Sequence, residues 1–314
     1  MNQEHPSELP LELPAGDAIR LLLSDTLREA AGLVERLGDP LDDEAVHDFR
    51  VAVRRLRTFL RAFGECVSVD DRVQADLRDL TGLTNVTRDD EAHVEWLRSR
   101  LESGELEPEE RTAVTGLLAR LEGRVSRPSD LRAEARLVLD RSGRALVECG
   151  DAIEGRAANT GREVQLTFGQ VTGAVMDHET GRLRRRLGRI TTLQDARRIH
   201  RARLSEKRLR YVLEPVADQA AGTAGPLERL KGLQDTLGEL HDLAGLGERL
   251  SGADSAIEAV VRRRREVLFE TLAAEWLGGH ADPFFADIAG ITRDLRKDAH
   301  ALRKETHSLR KEPS

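Results

Sequence analysis

Val46 to Phe63 reads VHDFRVAVRRLRTFLRAF and carries two stripes of side chains at helical spacing. One stripe is apolar, and the other is the cation row His47, Arg50, Arg54, Arg57 and Arg61. At about 100° per residue, the row lies within an arc of roughly 80° directly beside the apolar stripe. An ordinary amphipathic helix places its cations opposite the core, where water screens them. The row therefore predicts an anion between packed helices, because the cations would otherwise repel one another.

The same pattern returns in Ile199 to Val216, which reads IHRARLSEKRLRYVLEPV. His47 matches His200, and Arg54 matches Lys207, at an offset of 153 residues in both pairs (200 − 47 and 207 − 54). The second row is therefore His200, Arg203, Lys207 and Arg210. A repeat of this length predicts a duplicated domain with two copies of one basic helix.

These residues resemble the CHAD family, whose name abbreviates a histidine-bearing α-helical domain. The resemblance rests on V-H-x-x-R-V-x-x-R-R-L-R in the first copy and I-H-x-x-R-x-x-x-K-R-L-R-Y in the second. It extends to Leu233 to Leu243, LQDTLGELHDL, and spans nearly the whole chain, although Thr84 to Thr87 and Asp90 depart from the family pattern. The resemblance implies an all-α fold of two helical bundles around a central basic pore that binds inorganic polyphosphate.

The resemblance also implies which side chains bind polyphosphate. The predicted residues are His47, Arg50, Arg54, Arg57, Arg61, Arg78, His200, Arg203, Lys207, Arg210 and Lys231. Arg78 and Lys231, which the offset matches, come from the third helix of each half. Arg88 and His241, also matched, either line the pore or hydrogen-bond to the adjacent turn. Arginine suits this role because its planar guanidinium bridges phosphate oxygens and stays charged when partly desolvated.

The length of the row favours a polymer over a single phosphate. From His47 to Arg61 there are 61 − 47 = 14 residue steps. At about 1.5 Å per residue, they span roughly 21 Å of helix. The protonation state of His47 and His200 stays open, because a phosphate would favour the charged imidazole and the flanking arginines would oppose it.

Two other functions are alternatives. An all-helical metal-dependent phosphohydrolase is one, because His47-Asp48 and His241-Asp242 are His-Asp dipeptides. Such a site needs further His and Asp ligands around a metal, whereas the arginines on the face of His47 would repel a cation. A nucleic-acid-binding module is the other, but only 3 % of the residues are aromatic and could stack on bases. We therefore expect a noncatalytic protein without a metal or cofactor.

Composition predicts an all-α protein with an aliphatic core. Charged residues make up 33 % of the chain, and no stretch shows a sustained two-residue alternation of β-branched or aromatic residues. The net charge is −7, from 49 cations and 56 anions. An acidic exterior would repel long nucleic acids, while cations concentrated on particular helices accept a thin anion.

Several features predict a cytoplasmic protein that binds no membrane. No apolar run approaches the ~20 residues that cross a bilayer, and the N-terminal segment lacks the features of a signal peptide. Cys66 and Cys149 suit a reducing compartment. Expected locations include polyphosphate granules, and a polyphosphate-metabolising enzyme is an expected partner. The sequence leaves open whether binding serves targeting, storage or regulation of that enzyme.

The chain divides at points of weak helix propensity. The predicted segments are a disordered lead over 1–15, a first helical half over 16–154, a linker over 155–161, and a second half over 162–312. Residues 81–87 are rich in weak helix formers and predict a kink in the third helix. Heptads from Arg293 to Glu312 carry too narrow an apolar stripe for deep burial. They form either a solvated helix or an additional basic rim for the pore.

Overall fold

The computed structural model describes residues 9–39, 42, 44–64, 66–67, 69–83, 85–123, 131–159, 166–250 and 255–309. Within these ranges, side chains are described except at 85–88, 149–159 and 298–309. The helices of the described residues are α1 (Ala15–Arg36), α2 (Ala45–Ala62), α3 (Asp71–Gly82), α4 (Asn85–Ser103), α5 (Pro108–Glu122), α6 (Leu131–Asn159), α7 (Phe168–Leu187), α8 (Ala196–Leu213), α9 (Ala224–Leu250), α10 (Ser255–Trp276) and α11 (Asp282–Leu309).

The all-α prediction is confirmed, since these ranges contain helices and no strand. The predicted kink over 81–87 is a break between α3 and α4. After α8, a short 3-10 turn over Glu214–Val216 takes in Pro215, which cannot continue an α-helix. Gly278 and Gly279 both have positive φ and separate α10 from α11.

Each extensive contact between the two halves joins a helix to its own counterpart. α1 packs on α7, α2 on α8, α4 on α9, and α5 on α10. Within the first half α1 packs on α2 and α6, and within the second α7 packs on α8 and α11. Contacts between like elements are what a twofold relation produces. The duplication stays a prediction, which this arrangement supports.

Single residue pairs follow the same relation. An isolated bridge joins Pro14 to Thr167, and an ion pair of 2.7 Å joins Glu110 to Arg263. Both pairs are separated by the predicted offset (167 − 14 = 153 and 263 − 110 = 153). Contacts between counterparts are what a twofold axis between the halves would produce, so both pairs support the predicted duplication.

Residues 9–15 pack against the start of α7, so the predicted disordered lead is wrong for them. Leu9 is buried, and the N–H of Gly169 donates to the carbonyl of Leu11 at 2.9 Å. The prediction followed the prolines and acids of this segment and overlooked its alternating leucines. Their burial offsets the entropy lost on ordering the segment. Residues 1–8 lie outside the described residues.

α6 extends beyond the predicted start of the linker at residue 155. It continues to Asn159, because one glycine costs a helix interior only about 1 kcal/mol relative to alanine. The remaining linker residues, 160 and 161, lie outside the described part of the chain. α11 likewise continues to Leu309. The side chains of its last heptads are not described, so their role as solvated helix or basic rim stays a prediction.

Arg55 joins α1, α2 and the end of α8. Its Nη1 donates to the carboxylate of Glu29 at 3.2 Å, and its Nη2 lies 3.7 Å from Glu214. Its guanidinium also lies over the ring of Tyr211, 5.8 Å from the centroid, and Arg210 lies 5.1 Å from the same centroid. Because Arg210 pairs with Glu214 at 2.7 Å, the buried tyrosine contacts two cations that share one carboxylate. Such cation–π contacts contribute up to about 2 kcal/mol when desolvated.

A second polar cluster joins α4 to α9. The buried ring of His93 places Nε2 2.9 Å from the carbonyl oxygen of Asp242, to which it donates. Its Nδ1 lies 3.5 Å from Nη1 of Arg249, which also pairs with Asp90. Burial lowers the pKa of His93, and the charge of Arg249 adds to this effect. Asp90, which departs from the family pattern, thus has an ion-pair partner in the other half.

Replacing Arg55 with alanine should lower the free energy of unfolding by about 2 kcal/mol, because Glu214 then keeps its burial and loses a partner. Urea unfolding followed by circular dichroism measures this change. The matched control is Arg28→Ala in α1, because Arg28 is 75 % exposed and pairs with Asp25 one turn away. The control should leave the stability unchanged. Equal losses in the two variants would contradict a special role for Arg55.

Candidate functional site

A cleft of about 120 Å³ opens where α2 meets α8. Its lining residues are Arg54, Arg57, Thr58, Arg61, Gln74, Leu204, Lys207 and Arg208. We call this set the basic cleft, because five of the eight residues are cations and none is acidic, histidine or aromatic. Arg54 and Lys207 both line it, so a third pair that the offset matches meets between the halves (207 − 54 = 153).

The core of α2 positions its cations beside the cleft. Val53, Leu56 and Phe59 are fully buried, so the neighbouring row emerges at the edge of the core, as the sequence predicts. The end of α3 holds one member of this row. Nη1 of Arg57 donates to the hydroxyl of Thr81 at 2.8 Å. The guanidinium is thereby held beside the other cations before any ligand binds.

Like charges surround Arg57. Burial, followed in order of influence by the charges of Arg78, Arg61, Arg54 and Arg208, lowers the pKa of Arg57 to about 10. Its Nε is buried and has no hydrogen-bond partner. A buried donor without an acceptor is costly, and so is a set of neighbouring cations without an anion. Both costs would be relieved by an anion with several oxygens.

The surroundings of Lys207 and its neighbour Glu206 destabilise the charged form of each side chain. Burial lowers the pKa of Lys207 to about 6, with the charges of Arg54 and Arg203 adding to the effect. Burial raises the pKa of Glu206 to about 8, against the charge of Arg210. Glu206 is fully buried, and neither of its carboxyl oxygens has a hydrogen-bond partner. Near pH 7 the neutral forms of both residues are therefore favoured.

His200 and His241 lie against each other, with ring centroids 4.6 Å apart. Burial lowers the pKa of each ring, and Arg203 lowers both further. Nδ1 of His200 is buried without a hydrogen-bond partner. The open question about His200 is thus answered for the ligand-free protein, where the neutral imidazole is favoured. His241 lies beside the α8 row, where Lys207 also contributes to the lowering of its pKa.

Several predicted residues do not line the basic cleft. His47 is exposed at the start of α2, and Lys231 is exposed on α9. Arg78 is exposed on α3, where its charge acts on Arg57. The side chain of Arg88 lies outside the described residues. A position on a helix face predicts the direction of a side chain and does not reveal which neighbouring helix covers it.

The remaining predicted residues flank the cleft. Arg50 is buried beside the end of α3, with Nη1 3.5 Å from the carbonyl oxygen of Thr81. Arg203 contributes to the charge around Lys207, and Arg210 forms the ion pair with Glu214. These residues extend the positive charge along both helices beyond the cleft itself.

Three arginines that the sequence left unassigned lie at or near the cleft. Arg208 lines it, and Arg182 and Arg186 of α7 are among the charges that lower the pKa of Arg208 after burial and Arg61. The offset could have identified Arg208, because it matches Arg55 (208 − 55 = 153). Nothing comparable distinguishes Arg182 and Arg186 from the other arginines of their run.

The His-Asp dipeptides have structural partners. Asp48 pairs with Arg36 at 2.6 Å, and the carbonyl of Asp242 accepts from His93. Among the described side chains, no group of three or more His, Cys, Asp and Glu is placed to hold a metal ion. No helix in the described ranges has both the length and the apolar content needed to cross a membrane.

Comparison with known proteins identifies a family and a fold. The sequence matches the family model of the CHAD domain over residues 17–251. The CHAD domain from the plant Ricinus communis has a TM-score of 0.61 at 22 % identity, covering 91 % of this chain and 96 % of that one. PptA from Streptomyces chartreusis has a TM-score of 0.51 at 17 % identity, covering 92 % and 99 %. Among proteins with curated descriptions, none matches this chain.

Replacing Lys207 with methionine should raise the free energy of unfolding of the ligand-free protein by about 1–3 kcal/mol at pH 7. The folded-state pKa of about 6 lies below that of an unfolded lysine, 10.5. Above pH 10.5 the lysine is neutral in both states and costs no stability. As the pH falls from 10.5 toward 6, the unfolded state binds a proton that the folded state does not, and stability is lost. Methionine keeps the packing of the stem without this cost.

Urea unfolding in buffer free of phosphate and sulfate measures this effect. The control is Lys297→Met, because the side chain of Lys297 is 66 % exposed, and it should leave the stability unchanged. A loss of stability in Lys207→Met would show that favourable contacts hold the lysine and that repulsion does not dominate.

Proposed function

Because the chain belongs to the CHAD domain family, we propose that its basic cleft binds inorganic polyphosphate without catalysing a reaction on it. The observation that carries this proposal is the meeting of the α2 and α8 cation rows in the basic cleft. Like charges in a partly desolvated place cost free energy unless an anion lies among them. A chain of phosphates supplies negative charge and acceptor oxygens along the whole cleft.

The donors of the site favour a polymer over a single phosphate. Basic side chains continue from Arg61 and Arg54 of α2 to Lys207 and Arg203 of α8 and on to His241 of α9, and an anion would favour the protonated forms of Lys207 and His241. One phosphate would neutralise part of this series and leave the rest repelling. Guanidinium groups bridge phosphate oxygens in a fixed geometry, so successive phosphates of one chain suit successive arginines.

The cleft is less suited to nucleic acid. None of its lining residues is aromatic and able to stack on a base. The net charge of the whole chain is −7, so duplex DNA would approach an acidic surface on most sides. A thin, unbranched anion avoids both difficulties.

The chemistry of the lining favours binding over catalysis. It contains no carboxylate and no histidine that could activate a water or hold a metal. Its groups are donors and cations, which bind phosphate in its ground state. We include in the proposal the expected consequences of such binding, which are recruitment to polyphosphate granules or regulation of a polyphosphate-metabolising enzyme.

Long-chain polyphosphate should bind with an affinity that falls steeply as salt is added. For DNA, log K falls by about 0.9 per log unit of salt for each phosphate neutralised, and a polymer in the cleft should show several times this slope. The double variant Arg54→Gln/Lys207→Gln should bind at least about tenfold more weakly at low salt and show a flatter slope. Titrations at several salt concentrations, with orthophosphate and DNA as competitors, measure both effects.

The matched control for this experiment is Arg28→Gln/Arg98→Gln, which removes the same charge from exposed ion pairs away from the cleft. It should retain the wild-type slope. Preferred binding of DNA would contradict the proposal in favour of a nucleic-acid-binding module. Phosphate release that requires Mg²⁺ or Mn²⁺, monitored in the same samples, would contradict the noncatalytic assignment.

Affinity for polyphosphate should rise as the pH falls from about 8 toward about 6, the pKa of Lys207 in the free protein. An anion in the cleft favours protonated Lys207, so binding takes up a proton above that pKa, whereas Glu206, with a pKa of about 8, is already protonated in this range. His200 and His241 contribute in the same direction, because their pKa values are lowered in the free protein. Calorimetric titrations in buffers of different ionisation enthalpy measure how many protons the protein takes up when polyphosphate binds.

Lys207→Arg is the sharpest test of this pH dependence, because arginine stays charged throughout the range. The variant should bind at all pH values and show a flatter dependence. His241→Gln separates the contribution of the histidine pair. Affinity that rises with pH in the wild type would contradict the assignment of Lys207 to the ligand.

A further inference from the structure

Arg55 and Arg208 occupy matched positions (208 − 55 = 153), but their surroundings differ in charge. Arg55 lies 3.2 Å from Glu29 and 3.7 Å from Glu214. Glu214 also pairs with Arg210, so two cations meet two carboxylates at this end of the α2–α8 contact. The charges there cancel (2 − 2 = 0).

The position in the second half that matches Glu29 carries the opposite charge. Glu29 of α1 matches Arg182 of α7 (182 − 29 = 153), and Leu33 matches Arg186 (186 − 33 = 153). The second half therefore has arginines at the two positions that match Glu29 and Leu33, and the charges of both act on Arg208. Burial and the charge of Arg61 lower the pKa of Arg208, and Arg182 and Arg186 add to the effect.

One carboxylate opposes these four cations. Glu179 pairs with Arg182 at 3.3 Å, and its charge also acts on Arg208 and Arg186. With Arg61, Arg182, Arg186 and Arg208 against Glu179, this end has an excess of three positive charges (4 − 1 = 3). The α2–α8 contact is thus neutralised near Arg55, which does not line the basic cleft, and remains strongly positive near Arg208, which does.

The structure holds Arg186 against α8 and Arg182 against Glu179 of its own helix. Nη1 of Arg186 donates to the carbonyl of Arg201 and to the hydroxyl of Ser205, each at 2.7 Å. These bonds use one of the three nitrogens of the guanidinium, which presents five N–H donors in all. Arg182 is 29 % exposed and keeps contact with solvent. Both side chains are therefore positioned before a ligand arrives.

We propose that Arg182 and Arg186 form a second anion subsite, which binds the part of a polyphosphate chain that extends out of the basic cleft past Arg208. The inference rests on the proposed function and deepens it. A short chain fills the cleft alone, whereas a long chain also reaches α7. The protein therefore prefers long chains, and a bound chain leaves the cleft on the α7 side, because the paired charges around Arg55 offer no net positive charge on the other.

The test compares two chain lengths in the full-length protein. Arg182→Glu gives α7 the acid that α1 has at the matched position. It should weaken the binding of long-chain polyphosphate by about tenfold or more at low salt and change tripolyphosphate binding by less than about twofold. Arg186→Gln should give a loss of the same kind, and thermal unfolding confirms that both variants fold.

The matched control is Arg184→Glu, which makes the same charge change on α7 at a side chain that is 62 % exposed and pairs with Asp282. It should leave the affinity for both chain lengths within about twofold of the wild type. A loss as large as that of Arg182→Glu would mean that net charge acts at long range, and would overturn the inference. Equal weakening of short and long chains by Arg182→Glu would also overturn it.

The outcomes separate this inference from the proposed function. If the wild-type protein binds neither chain length, the proposed function fails and the inference fails with it. If Arg54→Gln/Lys207→Gln weakens both chain lengths while Arg182→Glu weakens neither, polyphosphate binding stands and the α7 subsite is wrong.

Discussion

Repulsion between the cations of α2 and those of α8 is the constraint on which the site depends. The two rows meet because their helices also bury apolar faces beside them, and because Arg55, Tyr211 and Glu214 join α2 to the end of α8. The fold thus supplies the free energy that holds like charges together. An anion that enters the cleft gains these cations without a rearrangement, which favours affinity because the ordering cost was met on folding.

The predicted duplication makes the differences between the halves informative. Arg54 and Lys207, which the offset matches, both line the cleft, so the same position of both halves contributes to it. Where the matched residues differ in charge, as Glu29 and Arg182 do, the surroundings of the matched arginines Arg55 and Arg208 differ in charge. If the halves arose by duplication, few substitutions would suffice to make one end of the proposed site more positive than the other, without a change in the backbone.

Helical periodicity predicted the fold and the direction of the cation rows, because both depend on spacing along one helix. It placed Arg54 and Lys207 correctly beside the core. It could not tell that Lys231 is exposed, nor that Glu214 pairs with Arg55, because such contacts depend on how helices pack. The ordering of Leu9 was missed for the same reason, since its segment is held by distant parts of the chain, such as the side-chain amide of Gln219 that donates to the Leu9 carbonyl.

Glu206 is the least expected residue of the site, because an acid next to an anion site weakens binding when it is ionised. The matched residue in α2 is Val53 (206 − 53 = 153). A valine has no charge, so it would not change the protonation of the neighbouring cations. Burial instead keeps Glu206 protonated near neutral pH. An ionised Glu206 would favour the protonated form of Lys207 and would repel a bound anion. A bound anion, in contrast, favours the protonated forms of both Glu206 and Lys207. If polyphosphate occupies the cleft as proposed, linkage requires that the proton and the polyphosphate stabilise each other's binding, so that the charge of the cleft depends on its occupant.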